Sequence, residues 1–213
     1  IYDIGKPKLS CAIAHLSAFN PGIKYIAHSI RLDSSNALDI IEQYDLIIDG
    51  TDNFATRYML NDACVLLDKP LVYGAVLRFE AQVAVFNLKD PKTAIKTNYR
   101  DAFPHLPDAA AVTSCNEVGV LGVVPGITGS IQAAEAIKII AGTGVPLCNK
   151  ILTFNVLNNR YYEIEISPTK EKHSQMPETC EKFRAWDYAW YCAGELSEYE
   201  IPIGRFDKMR ANE

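Results

Sequence analysis

The stretch DLIIDGTDN, residues 45–53, decides how the fold is interpreted, because an apolar run passes directly into two acids. The run of Leu46, Ile47 and Ile48 is typical of a short parallel strand that is covered on both faces. Asp49 and Asp52 follow this run within four residues. In open α/β sheets the ligand crevice lies outside the carboxyl ends of the strands. The two carboxylates are therefore candidates for a ligand or metal site at that edge of the sheet.

The segments on both sides of this strand alternate between helical and strand patterns. Working outward, the spacing of apolar residues predicts three helices. One covers 6–21, a second begins after a cap at Asp33, Ser34 or Ser35, and a third covers 53–69. The predicted strands cover 23–30, 45–50 and 70–76. This alternation predicts an α/β fold with a doubly wound, Rossmann-like and mostly parallel sheet.

The pattern changes after the third predicted strand. Residues 78–88 predict an antiparallel strand beside the parallel ones, and residues 89–116 exceed the usual loop length, which suggests a functional crossover loop or lid. A long, largely buried helix is expected after Pro125, ending at Gly142, and residues 150–166 predict a hairpin across Asn158, Asn159 and Arg160. We therefore expect a main domain over 1–167, followed by a linker and C-terminal tail over 168–213.

Composition excludes several classes of protein. The chain has 213 residues and a net charge of −5, and no basic stripe indicates nucleic-acid binding. No apolar run approaches the roughly 20 residues of a membrane span. The six cysteines form no CxxC pair, so the sequence predicts neither a disulfide framework nor a zinc site, and a reducing cytoplasm is the simplest location. Because the chain begins without Met, we expect it to be a piece of a longer protein.

Asp52 is the first candidate for site chemistry. A carboxylate at the end of a strand can hold Mg²⁺, which neutralises phosphate charge. The structural alternative is that Thr51, Asp52 or Asn53 caps the helix beginning near Phe54. From spacing alone both interpretations remain open.

Lys8 and Cys115 are the other candidates. Lys8 lies at a predicted helix start, where free N–H groups and the helix dipole favour a phosphate, although a lone lysine is more often simply solvated. Cys115, at the end of the long loop, is either a nucleophile or an inert small apolar residue. No GxGxxG phosphate loop follows any predicted strand.

Taken together, four segments resemble the ThiF/MoeB/HesA family, the bacterial relatives of ubiquitin-activating enzymes. The resemblance covers residues 3 to 166 and depends on the order and spacing of DIGKPK (3–8), YDLIIDGTDNFATRYMLNDACV (44–65), PLVYGAVLRFEAQVAVF (70–86) and the segment from NYRDAFP to IIAG (98–142). It implies ATP- and Mg-dependent adenylation of the C-terminal glycine of a small ubiquitin-fold sulfur carrier. Such carriers serve molybdopterin, thiamine or tRNA thiolation, and family members are usually homodimers.

The resemblance also implies roles for individual residues. Asp52 matches the catalytic aspartate that contacts Mg²⁺ and ATP, and Lys8 matches the lysine that contacts the phosphates. Cys115 matches a cysteine that links covalently to the carrier in some relatives. Residues 89–116 match the crossover loop beneath which the tail of the carrier threads.

Three departures from the family pattern qualify these expectations. The family's ATP loop, ribose-binding acid and arginine-bearing helix lie upstream of residues 3–8, so we expect this chain not to adenylate alone. The zinc-binding CxxC positions match Asn98 and Asp101, and AWYCAG (189–194) keeps only Cys192, so no zinc is expected. Some members continue into a rhodanese domain, but too little sequence follows residue 168 to make one.

Two alternatives to an adenylating enzyme remain. One is a non-catalytic module that docks a ubiquitin-fold partner. The presence of Asp52, Lys8 and Cys115 argues against this alternative. The other is a nicotinamide-dependent oxidoreductase, which lacks its glycine fingerprint here.

Overall fold

The computed structural model describes residues 2–105, 119–169 and 176–189. The chain divides into two compact units, Ile1–Leu32 and Asp33–Glu213. Cys115, Cys192 and most of the predicted tail lie outside the described residues.

The first unit contains helix α1 (Lys8–Phe19), which begins after Pro7 and ends at Asn20 in an extended conformation. The expected strand over 23–30 is wrong, because these residues form neither strand nor helix. Ile23 and Ile26 are each more than half exposed. Alternation alone does not make a strand, since its backbone groups also need a neighbouring strand to bond.

The second unit is built around one five-stranded sheet. Along the chain its elements are α2 (Ala37–Ile41), β1 (Ile47–Asp49), α3 (Phe54–Leu66), β2 (Leu71–Leu77), β3 (Glu80–Phe86), α4 (Tyr99–Ala102), α5 (Val123–Ala141), β4 (Lys150–Asn155), β5 (Arg160–Glu165) and α6 (Cys180–Arg184). The strand order is β1-β2-β3-β4-β5. Strands β1 and β2 are parallel, and the other neighbouring pairs are antiparallel.

The α/β class and the antiparallel extension are confirmed by this sheet. The described residues contain one parallel pair, so the parallel share there is smaller than the mostly parallel sheet that was predicted. The loss of the expected strand over 23–30 accounts for part of the difference.

The core lies on both faces of the sheet beneath α3 and α5. Val72, Val83, Val85 and Phe86 are essentially inaccessible to solvent. Val85 faces Val72 across the antiparallel β2–β3 pair. Such β-branched and aromatic residues pack well on a pleated surface, which explains why they form the core of this sheet.

Helix α5 ends as predicted, with Gly142 in the left-handed conformation at φ 61°. The expectation that it is largely buried is wrong for the described residues, since Ile137 and Ile140 are 61% and 74% exposed. Its buried face, which includes Thr128 and Gln132, packs on β2 and β3. An apolar composition therefore did not distinguish a one-sided helix from a fully covered one.

Two predicted turns and caps also have definite outcomes. The hairpin β4–β5 forms, with Asn159 at φ 54°, as its positive-φ turn chemistry predicted. The cap of α2 is Asn36 rather than Asp33, Ser34 or Ser35, because Asp33 is bonded instead to the backbone and hydroxyl of Ser35.

Within the described residues, no helix is long and apolar enough to cross a bilayer.

Candidate functional site

The turn between β1 and α3 presents Asp52 to solvent while its neighbours hold the backbone. Asn53 caps α3, since its side-chain oxygen accepts a hydrogen bond from the Thr56 backbone N–H at 2.8 Å. Asp52 is exposed and makes no hydrogen bond or ion pair with any residue in 2–105, 119–169 or 176–189. The two interpretations of this sequence therefore separate: the capping role belongs to Asn53, and the Asp52 carboxylate is available to a ligand.

Asp49 has a different environment from Asp52. Its Oδ1 accepts hydrogen bonds from the Thr51 backbone N–H at 2.8 Å and from the Thr51 hydroxyl at 2.7 Å. Only 1% of its surface is exposed. Burial raises the pKa of this carboxyl, and the bonds from Thr51 and the charge of Arg57 offset part of that increase. Asp49 thus braces the turn that carries Asp52, as expected for a structural residue.

Gln132 on α5 ties this turn to the sheet, and sequence reasoning did not identify it. Its Nε2 donates to the backbone oxygen of Asp49 at 2.7 Å and to that of Val72 at 3.3 Å. The amide fits because Gly74 has no side chain, and a Cβ there would lie 2.5 Å from the Gln132 side chain. The glycine is therefore required for a close approach, which no periodicity in the sequence reveals.

Arg57 is a second residue that sequence reasoning missed. Its Nη2 donates to the backbone oxygen of Thr51 at 3.0 Å. The guanidinium carbon lies 5.7 Å from the ring centroids of both Phe54 and Tyr73. Burial raises the pKa of Tyr73 to about 12, so this phenol is neutral at physiological pH. The only sequence signal was the position of Arg57 in the first turns of the helix that follows Asp52.

The two positions matched to a zinc-binding pair form a helix cap. The Asn98 backbone N–H donates to Asp101 Oδ2 at 2.8 Å, and Asn98 Oδ1 accepts from the Arg100 backbone N–H at 2.9 Å. The other Asp101 oxygen accepts from the Thr169 backbone N–H at 2.8 Å. These side chains therefore have full hydrogen-bonding roles of their own at the start of α4.

A buried ion pair fixes the described part of the crossover loop to α3. Arg100 donates from Nε and Nη2 to the two carboxylate oxygens of Asp62, each at 2.8 Å, and both side chains are at most 2% exposed. Tyr188, beyond α6, donates its hydroxyl to Asp62 Oδ2 at 2.8 Å. One carboxylate thus joins three separate segments of the chain. Bidentate geometry with additional bonds is the condition under which a buried pair holds its partners firmly.

The remaining predicted residues are placed as follows. Lys8 is exposed at the first position of α1 in the first unit. Cys115 lies outside the described residues, so its role stays a prediction. Cys64 is buried, and burial raises the pKa of its thiol far above the usual range, so little reactive thiolate is expected there in the folded protein. No group of three or more His, Cys, Asp or Glu suited to a metal occurs in the described part of the chain.

Comparison with known proteins agrees with the resemblance in the sequence. A family model described as the ThiF family matches residues 1–180. The chain is 44% identical over 164 residues to a sulfur carrier protein adenylyltransferase of Thermus thermophilus, covering 77% of this chain and 60% of that protein. It is 42% identical over 192 residues to MoeZ of Mycobacterium tuberculosis, a probable adenylyltransferase/sulfurtransferase, covering 90% of this chain and 47% of that protein. The chain thus spans about half the length of the curated relatives it matches.

Solved structures agree with the fold. A crystal structure of E. coli MccB with MccA superimposes with a TM-score of 0.62 at 14% identity, covering 79% of this chain and 50% of that chain. The structure of E. coli MccB with ATP gives a TM-score of 0.60 at 14% identity, covering 78% and 49%. At this level of identity the likeness shows a shared fold.

Proposed function

Because the chain belongs to the ThiF family, we propose that it carries the adenylation centre of a sulfur carrier protein adenylyltransferase. In the proposed reaction a carboxylate oxygen at the carrier's C-terminal glycine attacks the α-phosphorus of ATP. The bond from that phosphorus to the oxygen bridging the β-phosphate breaks, and pyrophosphate leaves. Such chemistry requires alignment and charge stabilisation from the protein rather than a covalent intermediate.

The free Asp52 carboxylate on a preformed turn is the observation that carries this proposal. Asp49, Gln132 and Asn53 hold the turn by hydrogen bonds, whereas Asp52 has no partner among the described residues. A single exposed carboxylate suits Mg²⁺, which is usually bound by one or two carboxylates together with substrate phosphates. Bound there, Mg²⁺ would neutralise phosphate charge.

The family resemblance proposes roles for two further residues, Lys8 and Cys115. Lys8 begins a 12-residue helix, where an ammonium group and free backbone N–H groups together favour the phosphates of ATP. Cys115 is proposed to form a covalent link with the carrier after adenylation, as in some members of the family. These two roles depend on the family resemblance.

The proposed partner is a ubiquitin-fold sulfur carrier whose tail passes beneath residues 89–116. The pairing of Arg100 with Asp62 supports this, because it holds the described part of the crossover loop in a fixed position on α3. We further propose a cytoplasmic homodimer that uses the exposed apolar face of α5, including Ile137 and Ile140.

The test is ATP–pyrophosphate exchange that depends on an added sulfur carrier, with the complete gene product. We expect Asp52→Ala to abolish exchange while the free energy of unfolding changes by less than about 0.5 kcal/mol, the usual range for an exposed site. A carrier that binds tightly without any exchange would favour the non-catalytic docking module instead. Titration calorimetry of MgATP with residues 1–213 alone tests the expectation that this chain does not adenylate by itself, and an ordinary affinity would contradict that expectation.

A further inference from the structure

Arg57 is a cation held in one place beside the turn that carries Asp52. Its Nη2 donates to the oxygen of Thr51, the residue directly before Asp52, at 3.0 Å. Its guanidinium carbon lies 5.7 Å from the rings of both Phe54 and Tyr73. Contacts of this kind restrict the side chain before any ligand arrives, so binding costs little further ordering.

The charge of Arg57 has no counter-ion in the part of the chain that the structure describes. No carboxylate lies within 4.0 Å of its nitrogens there, and its Nε is buried without a hydrogen-bond partner among those residues. The nearby Asp49 uses one oxygen for Thr51, and the pKa of that carboxyl is raised despite the positive charge of Arg57. The Nε lies out of reach of a ligand, but Nη1 also makes no hydrogen bond with a described residue, so the end of the guanidinium keeps donors that the described protein does not use.

We propose that Arg57 is a binding residue for the reacting oxyanion of the adenylation centre. Its planar guanidinium presents donors that match a phosphate or a carboxylate. Arg57 bonds the residue directly before Asp52, so a substrate whose cation reaches Asp52 would bring an oxyanion close to this guanidinium. This inference rests on the proposed function, and it assigns a contact to a residue that the sequence did not single out.

An oxyanion at this position has two possible sources, a phosphate group of ATP or the terminal carboxylate of the carrier. The carboxylate is planar and the phosphate is tetrahedral, and either can accept two N–H bonds from an arginine. Binding measurements with inorganic pyrophosphate and with a short peptide ending in a free glycine carboxylate distinguish them. The same peptide with a C-terminal amide serves as the control for a carboxylate contact.

The experiment compares the wild-type protein with Arg57→Met and Arg57→Lys, using the complete gene product. Methionine keeps the apolar stem without the charge, and lysine keeps the charge without the fork. Arg160→Met, on the exposed strand β5, is the matched control because it removes the same charge elsewhere. Thermal unfolding of each variant establishes that it is folded.

We expect Arg57→Met to weaken binding of pyrophosphate or of the acid peptide by about tenfold to a hundredfold, as for the loss of hydrogen bonds to a charged group. Arg57→Lys should recover part of that loss, and Arg160→Met should change nothing. If only pyrophosphate binding falls, the phosphate is the source. If preference for the acid peptide over the amide disappears, the source is the carboxylate, and a purely structural role would not produce that change in preference.

Two results overturn the proposal. One is binding of both probes by folded Arg57→Met within twofold of the wild type, and the other is a wild type that binds neither probe. The proposed function fails separately, if no carrier supports ATP–pyrophosphate exchange while the effect of Arg57 on probe binding is still observed.

Discussion

Asp49 and Asp52 have opposite predicted responses to substitution, although they are three residues apart. Asp49→Ala removes an acceptor of two hydrogen bonds and leaves the backbone N–H and hydroxyl of Thr51 without their partner. Each hydrogen bond to a charged group contributes about 1.5–3 kcal/mol. Burial of this carboxylate carries a desolvation cost, which is the reason for its raised pKa, and the substitution removes that cost. We therefore expect a net loss of about 2–4 kcal/mol in the free energy of unfolding.

Asp49→Asn is the matched control for this prediction. Its amide oxygen can replace Oδ1 as the acceptor, and its NH₂ group takes the place of Oδ2, which is buried and has no partner among the described residues. We expect the unfolding free energy of this variant to lie within about 1 kcal/mol of the wild type, because an acceptor of similar shape remains. Urea unfolding measures both variants, and the slope m should stay constant if only stability changes.

The pH dependence of the same pair provides a second measurement. Burial raises the folded-state pKa of Asp49 above the ordinary value of 3.8, so the folded protein holds this proton more tightly than the unfolded chain does. Its contribution to stability is therefore fully present below pH 3.8 and is lost as the pH rises through the folded-state pKa. The side chain in Asp49→Asn cannot ionise. The free energy of unfolding of this variant should therefore rise relative to that of the wild type over that pH interval, and the difference between the two should stay constant at higher pH.

Two results would refute this account of Asp49. One is Asp49→Ala with the stability of the wild type. Another is a stably folded Asp49→Ala protein that loses carrier-dependent exchange as completely as Asp52→Ala, which would make Asp49 part of the chemistry.

Further predictions concern the core and the crossover loop. Arg100→Met should cost about 3–5 kcal/mol in urea unfolding, because it leaves the Asp62 charge buried and unpaired, whereas adding Asp62→Leu should recover much of the loss; equal stability of the single and double variants would contradict this. Gly74→Ala should lower the free energy of unfolding by about 1–3 kcal/mol, because the new Cβ displaces the Gln132 amide that bonds the end of β1. Gly126→Ala is the control, since nothing lies within 4 Å of its new Cβ, and it should lower the free energy of unfolding by less than about 0.5 kcal/mol. The Cys64 thiol should resist iodoacetamide at pH 8 in the native protein and react in urea, and mass spectrometry of the modified peptide measures this. Elemental analysis should find no stoichiometric zinc, and a chelator should leave the melting temperature unchanged; a zinc-to-protein ratio near one would refute the prediction.

The sequence by itself determined the elements around the candidate site. A short apolar run, a capping residue and helical spacing are local signals, and they correctly predicted β1, α3, the start of β2 and the antiparallel β3. The motif TDN and its context also indicated the family, which the comparisons confirmed. Local patterns succeed here because hydrogen bonding and burial within one element depend mostly on neighbours in the chain.

Only the tertiary structure decided that Asp52 is available to a ligand and that Asp49 stabilises the turn by hydrogen bonds. Asp49 and Asp52 are the same residue type three positions apart, and they differ because the Asp49 carboxylate is buried at the end of β1 and bonded by Thr51, whereas Asp52 is exposed. The ion pair of Arg100 with Asp62 and the packing of Arg57 on Tyr73 likewise join residues far apart in sequence. Conversely, residues 23–30 alternate like a strand and form none. A side chain's partners, desolvation and pKa depend on what packs against it in three dimensions, and a one-dimensional pattern does not contain that information.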